Sequence, residues 1–513
     1  MNDLILGIDI GTSACKIVCF HPNGSAAAQC NKEYPIYTPQ KGWVEQNPDE
    51  WWHAVCAGIR EMLERSRINI SSIACIGIDG QGWSAIPIDQ AGHVLCKTPI
   101  WMDTRAADIC NELNHVIGQK RIFEVCGNSL QPMYTLPKII WYQRNRPEVF
   151  RKTYKILQSN SFIVYRLTGM LTSDLSQGYG LHCFDMRKGC YDTDMCRDIG
   201  VRKDLLPDLY PCSQVVGQVT RQAAEMTGLL QGIPVVAGGL DAACGTLGAG
   251  VIQDGEVQEQ GGQAGGMSIC MSQYKALPEL VLGFHVIPGK WLLQGGTVGG
   301  GGVVKWFEKE LGAEERILAM RNGTHAYEEM DLAAQKIIPG SDGLIFLPYM
   351  AGERSPIWDS QAKGLFYGLD FTKTRAHMIR AVLEGVAYSL RHNLETAERA
   401  GVTVQTMNSV GGAAGSLLWT QIKSDVTGKP IAVPESDTAT ALGAAMLAGV
   451  GNGIYGNFSE AVQKTVKVKR QHTPDFRYQE QYDTAFHTYI ELYKSLKDIM
   501  HSSYKIQRGD NDR

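Results

Sequence analysis

The 513-residue chain contains no run of about 18 apolar residues, so no conventional membrane-spanning helix is expected. It has no basic leader either. MNDLILGIDIGTSACK places Asp3 and Asp9 within its apolar run, which fits neither a secretion signal nor an anchor. Its 14 cysteines form no CxxC pair, which argues against structural zinc and a disulfide framework; all lie at or before Cys270 and are expected to be reduced, mostly buried thiols in the cytoplasm. Charge of one sign is not in excess: 49 Lys and Arg against 53 Asp and Glu give a net −4, and no electrostatic reason to expect nucleic acid or an anionic membrane as partner. The Walker A ending GK[ST], the G-x-S-x-G elbow and HExxH are all missing. A GxGxxG does occur, GNGIYG at 451–456, but it follows a helical pattern rather than a strand, which removes the case for a dinucleotide-dependent oxidoreductase.

Glycine is abundant, at 56 residues, and clustered, which points to backbone lying close to a ligand. The length exceeds what one hydrophobic core sustains, so two large domains are expected. LILGIDIG (4–11) and KIVCF (16–20) read as strands joined by a small-residue turn, and HPNGS supplies a second turn. A helix over 47–66 and a buried strand, IACIGIDG (73–80), follow. The second half repeats this opening: EVQEQGGQAGGMSIC (256–270) is again strand, glycine turn, strand. Helices are expected over 375–400, from Ser416 and over 438–450, with strands at 406–412 and 430–434. The pattern is α/β with a duplicated unit and an expected cleft between the copies, divided into 1–252, 253–500 and a frayed polar tail, 501–513.

Four clusters can carry chemistry. Asp9-Ile10-Gly11-Thr12-Ser13 joins a strand-end acid to hydroxyls and amides that suit phosphate and hydrated Mg²⁺; it reads equally well as a hairpin turn. Gly261–Gly266 and Gly299–Gly302 offer outward amides for a polyphosphate, or simply tight turns. NSVGGAAGSLLW (408–419) leaves a flat slot for a purine, or reflects close helix–strand packing. In PVVAGGLDAACGTLGAG (234–250) a lone acid, Asp241, stands among small and apolar residues. As an N-cap it would accept from the amide of Cys244 and need no other role.

Together these segments resemble the FGGY family of carbohydrate kinases, on the actin/hexokinase/Hsp70-like (ribonuclease H-like) fold, over nearly the whole chain. MYTLPKIIWYQRN (133–145) and GLFYGLDFTKTRAHMIRAVLE (364–384) follow two family signatures, with Tyr142 at a position usually apolar and free of a hydroxyl. GWVEQNPDEWW (42–52), PIWMDTRA (99–106) and LPYMAGERSP (347–356) are most similar to the xylulokinase-like branch. The resemblance implies an ATP- and Mg²⁺-dependent kinase that phosphorylates a hydroxyl of a small carbohydrate. Asp241 is then the general base, and Asp9 the metal residue. Gly11, Thr12, Ser13 and Lys16 form the first phosphate loop, and Gly262, Gln263, Gly300 and Gly301 the second. Gly411, Gly412, Ala413 and Ser416 line the adenine pocket. Gln81, Trp83, Trp101, Asp103 and Asp241 meet the acceptor. A homodimer is common among such kinases.

Three departures from the family pattern bear on the substrate. Ala242 replaces the amide residue frequent after the catalytic Asp; Gly80-Gln81-Gly82-Trp83-Ser84 replaces Gly-Gln-Met-His-Gly; and Gly262-Gln263-Ala264 replaces Gly-Thr-Ser. A ketopentose such as xylulose is the first expectation, with glycerol, erythritol, gluconate, ribulose or fuculose as alternatives. A nucleotide-dependent sensor with little transfer activity is the reading from another class. No nucleic acid or membrane partner is expected.

Overall fold

The computed structural model describes residues 3–508. They form two compact units. One comprises the chain up to Ile252, Cys270–Leu292 and Thr438–Lys467; the other comprises Gln253–Ile269, Leu293–Asp437 and the chain from Val468 onward. The first break lies at the expected place. The unbroken second block, 253–500, does not form, because the alanine-rich segment near 440 packs in the first unit.

The first unit is built on β1 (Leu4–Ile10), β2 (Ala14–Phe20), β3 (Ala26–Glu33), β4 (Ile73–Gly80), β5 (Val215–Gln218) and β6 (Pro234–Val236). They lie in the order β5-β6-β4-β1-β2-β3, with β7 (Gly239–Leu240) beside β4. β1, β2 and β3 form an antiparallel meander, while β4 runs parallel to β1, and β6 and β7 run parallel to β4. The aliphatic runs of β1 and β4 are buried almost throughout, as strands covered on both faces require. Helix α1 (Pro48–Ser66) starts where Asn47 accepts the amide of Asp49 and Pro48 takes the first turn. Its Trp51, Trp52, Val55 and Ile59 share one core with Leu6, Ile8 and Ile76. Two further helices, α2 (Thr135–Asn145) and α3 (Asp241–Gly248), belong to the same unit.

The second unit repeats the plan with β8 (Glu256–Gly261), β9 (Gly265–Met271), β10 (Trp291–Thr297), β11 (Thr406–Val410), β12 (Ile431–Pro434) and β13 (Val468–His472), in the order β10-β9-β8-β11-β12-β13. As before, an antiparallel hairpin is extended by two parallel strands. Its helices include α4 (Gly301–Leu311), α5 (Ala326–Ala334), α6 (Arg375–Arg399) and α7 (Leu417–Thr427). The expected hairpins, strands and helices thus recur within a residue or two of where the sequence placed them. Among the described residues, no helix is long and apolar enough to cross a membrane. All 14 thiols are free, and all but Cys96 and Cys190 are buried.

The returning helix, α8 (Ala439–Gly451), explains the run of small residues around Asp241. It meets α3, β1 and β4 at backbone distance. A Cβ on Gly443 would lie 1.9 Å from the carbonyl oxygen of Cys244, one on Gly248 1.8 Å from that of Ala439, and one on Gly77 1.9 Å from that of Ala444. No side chain fits those gaps. At the other end of the chain, α9 (Gln479–Arg508) continues through most of the span expected to fray; its His501 bonds the carboxylate of Asp359 at 2.8 Å. The tail assignment is corrected to that extent, since α9 has a tertiary partner; 509–513 lie outside the described residues. Gly443→Ala is expected to destabilise the first unit by about 1–3 kcal/mol, measured as a lower urea midpoint; an unchanged midpoint would contradict this packing.

Candidate active site

Three acids of the first unit stand at the carboxyl ends of neighbouring strands, where open α/β sheets present ligand sites. Asp9 on β1 pairs in register with Asp79 on β4, and β7 runs beside Asp79 and Gly80 before the chain turns into α3 at Asp241. Asp241 is the first residue of α3, not its cap. The cap position is Leu240, and among the described residues the Asp241 carboxylate accepts only the neighbouring amide of Ala242, at 2.6 Å. The expected alternative, a bond from the Cys244 amide, is not formed. The Asp241 side chain keeps some solvent exposure although protein surrounds it closely.

Burial pushes the Asp241 carboxyl up to about 7, and the charge of Asp9 adds to the shift. Burial lifts Asp9 itself to about 6, against the pull of Asp79 and Lys16. Asp79 is wholly buried with its carboxyl against that of Asp9; burial, then the charges of Asp9 and Asp241, raise it well above the usual carboxylate range. Lys16, opposite Asp9 on β2, is the cation of this corner.

The turn after β1 is tied to the acceptor segments by side-chain amides. Gln46 donates to the carbonyl of Thr12 at 2.8 Å, and Gln81 donates to Gln46 at 2.7 Å. Trp101 donates its indole N–H to the hydroxyl of Thr12 at 3.0 Å. The Gly11 amide closes the turn on Ala14, its carbonyl accepts the Tyr34 hydroxyl, and Ser13 is exposed. Trp83 sits in the left-handed region, at φ 63°, and packs edge-on against Tyr134 and Tyr179, with ring centroids 4.8 and 5.6 Å away. His182 lies 4.7 Å from Tyr134, and burial pulls it down to about 4, so its imidazole is neutral near pH 7. Gln81 Oε1 is buried and accepts no hydrogen bond among the described residues, which leaves one acceptor of this corner unspent.

One acceptor assignment fails. Asp103 is buried, and its carboxylate is filled by the Val44 amide and by the amide and guanidinium of Arg105. It braces the loop that carries Trp101 instead of facing solvent. Gln46, Asp79, Tyr134, Tyr179 and His182 were not foreseen. Gln46 and Tyr134 lie inside segments that carried the family resemblance, but nothing local distinguishes them.

In the second unit, a cavity of about 840 Å³ joins Gly262, Gln263, Gly301, Gly412, Ala413 and Ser416. A Cβ on Gly412 would meet no atom within 4 Å, so this wall is open beyond the backbone. The two glycine segments bond each other: Gly301 and Gly302 donate to the carbonyls of Gly262 and Gln263 at 2.8 and 2.9 Å. The Gly301 amide is therefore spent, contrary to its expected phosphate role, and Gly300 lies outside the residues that line the cavity. At the loop tip, the amides of Gln263 and Ala264 make no hydrogen bond among the described residues. Gly411, at φ 87°, turns the chain so tightly that a Cβ would lie 2.9 Å from the Gly261 carbonyl; it too is support, not lining. Ser416 caps α7 through the Trp419 amide and donates to Asp331 at 2.6 Å, so its hydroxyl is committed to holding that carboxylate at the cavity. Lys305, His325 and Asp331, also lining, were not among the residues singled out in the sequence, since no motif marks them.

Among the described residues, no group of three acids, histidines or cysteines converges to cage a metal. Asp9 with Asp79 beside it suits a hydrated Mg²⁺, which commonly takes one or two carboxylates and keeps its waters.

Comparison with known proteins agrees in extent. Residues 4–248 match the N-terminal domain profile, and 272–451 the C-terminal domain profile, of the FGGY family of carbohydrate kinases. The chain is 29% identical over 497 residues to the xylulose kinase of Bacillus subtilis (96% of this chain, 97% of that one), and 30% identical over 514 residues to the gluconokinase of the same organism (99% of each). The crystal structure of xylulose kinase from Rhodospirillum rubrum superposes with a TM-score of 0.90 at 28% identity, covering 97% of this chain and all of that one.

Asp79→Asn should change the pH dependence of stability. A carboxyl raised in the folded state adds stability below its unfolded value near 4, and that stability is lost as pH rises toward the folded value. The variant is therefore expected to gain on the wild type in urea unfolding between pH 4 and 8; parallel curves would contradict the burial argument.

Proposed function

Because the chain belongs to the FGGY family of carbohydrate kinases, we propose that it transfers the γ-phosphoryl group of ATP to a hydroxyl of a neutral sugar, a ketopentose such as xylulose being the first candidate. The observation that carries this is Asp241: a partly exposed carboxylate at a strand end that serves as no helix cap. Asp241 takes the proton of the acceptor hydroxyl as that oxygen bonds to the γ-phosphorus, the bond to the β–γ bridging oxygen breaks, and ADP leaves. Asp9, with Asp79 beside it, would hold Mg²⁺, which when bound spreads the charge of the transferring phosphoryl group. On this reading Thr12, oriented by Trp101, offers its hydroxyl to phosphate from the first unit, while in the second unit the free amides of Gln263 and Ala264 offer phosphate donors and the cavity lined by Gly412 and Ala413 takes the base.

Xylulose is preferred over a sugar acid on electrostatic grounds. The acceptor corner carries three carboxyls; of the cations near it, Lys138 donates to three carbonyls, Arg105 pairs with Asp103 and Glu45, and Lys16 stands opposite Asp9 on β2, at the phosphate turn. An aldonate would meet acids and find no ready counter-charge. Coupled ADP-release assays across ketoses, polyols and aldonic acids test this, with background ATP hydrolysis subtracted. Turnover with a neutral ketose well above that with gluconate is expected; nucleotide binding without any acceptor-dependent ADP would favour a sensor.

Asp241→Asn is expected to lower kcat by about 10²–10⁴-fold with nucleotide affinity retained. In the wild type, a base raised to about 7 is ionised above that pH, so kcat/KM should fall as pH drops below about 7 and level off above it. Gly412→Leu, whose side chain would project into the open cavity, should raise KM for ATP at least tenfold while leaving the urea midpoint near that of the wild type.

A further inference from the structure

The signature helix α2 buries one lysine completely, and none of the residues assigned above accounts for it. Lys138 has no exposed surface, and its ammonium donates to three main-chain carbonyls: Trp83 at 2.8 Å, Ile100 at 2.9 Å and Met133 at 2.7 Å. An ammonium has three hydrogens, and here each has an acceptor. That satisfies the charge within the protein, where an unpaired buried cation would be prohibitive.

The three acceptors lie in three separate segments. The first belongs to Trp83 itself. The second precedes Trp101, whose indole holds the Thr12 hydroxyl. The third precedes Tyr134, which packs on both Trp83 and His182. We infer that Lys138 is a positioning residue for the acceptor: by gathering three carbonyls around one tetrahedral cation, it fixes Trp83, Trp101 and Tyr134 in their mutual arrangement and joins that wall to the phosphate turn. Trp83 needs such a restraint, because its left-handed backbone is one that residues with side chains leave when free to do so. An arginine cannot substitute, since its planar fork sends donors into one plane while these carbonyls converge on a point.

The inference rests on the acceptor reading of this corner, and the wild type separates the two. D-Xylulose is used as probe, or whichever neutral sugar of the panel the wild type phosphorylates best. A wild type without acceptor-dependent ADP release overturns the functional reading and this inference with it. Given wild-type turnover, Lys138→Met keeps the length of the side chain and removes every donor. Its KM for the sugar should rise at least tenfold, and the change of tryptophan fluorescence on adding sugar should be lost. Its Kd for ATP, titrated on the same preparation, should stay within twofold of the wild type. A KM within twofold of the wild type would show that Lys138 merely fills space. A parallel loss of ATP affinity would show general unfolding and equally overturn the assignment. Should K138M prove insoluble, K138R, which keeps charge and bulk, is read by the same criteria and is expected to show the same selective loss.

Discussion

Backbone-to-backbone contact between α8 and the elements that carry the acids is the constraint on which the first unit depends. Where a Cβ would stand less than 2 Å from a carbonyl oxygen, as at Gly77, Gly248 and Gly443, only glycine is possible. Helix α8 can approach so closely because it consists mostly of Ala and Gly, and it is buried along most of its length. The close approach of α3 and α8 leaves Asp241 at the start of a short helix whose next four residues, Ala242 to Gly245, are small, so that a carboxylate can stand there with room beside it. The small residues around that acid are therefore explained by packing as much as by the substrate.

Electrostatics follow from this geometry. Bringing β1, β4 and β7 together places three carboxyls at adjoining strand ends: the charge of Asp9 raises the proton affinity of Asp79 and of Asp241, and that of Asp241 adds to the shift of Asp79. Such an arrangement costs stability, and proteins keep it where charge is to be offered to a ligand. Asp79, wholly buried beside Asp9, shares in that cost. Around the acids, polar side chains are held by one another: Gln46 links Gln81 to Thr12, and Trp101 reaches the same threonine. Rigidity there comes from cross-links between segments far apart in sequence.

The second unit reaches the same end differently. Its glycine segments bond one another, so the loop after β8 and the first turn of α4 form a single surface. Two amides are thereby consumed and two at the loop tip are left, which is why several glycines of the sequence are supports and only some line the cavity. The buried pair Lys423–Glu259, with Ser409 on the same carboxylate, anchors β8 beneath that surface.

The strand–turn–strand openings, the α/β class, the repeated unit and the positions of Asp9, Asp241, Gly262 and Gly412 were legible in the chain, because alternation, helical periodicity and glycine punctuation are local properties. What each polar group does was not. Asp103 and Asp241 are both single acids in apolar surroundings, yet one is saturated by Arg105 and the other stands nearly free. Lys138 looks like any helical lysine until two distant carbonyls, of Trp83 and Ile100, join the local one of Met133 around it. The return of α8 to the first unit was equally hidden, since its sequence fits any close-packed interface. Sequence determined which elements form, through the periodicity each segment carries within itself; tertiary structure alone decided which hydrogen-bonding groups remain unspent, because their partners come from residues tens to hundreds of positions away.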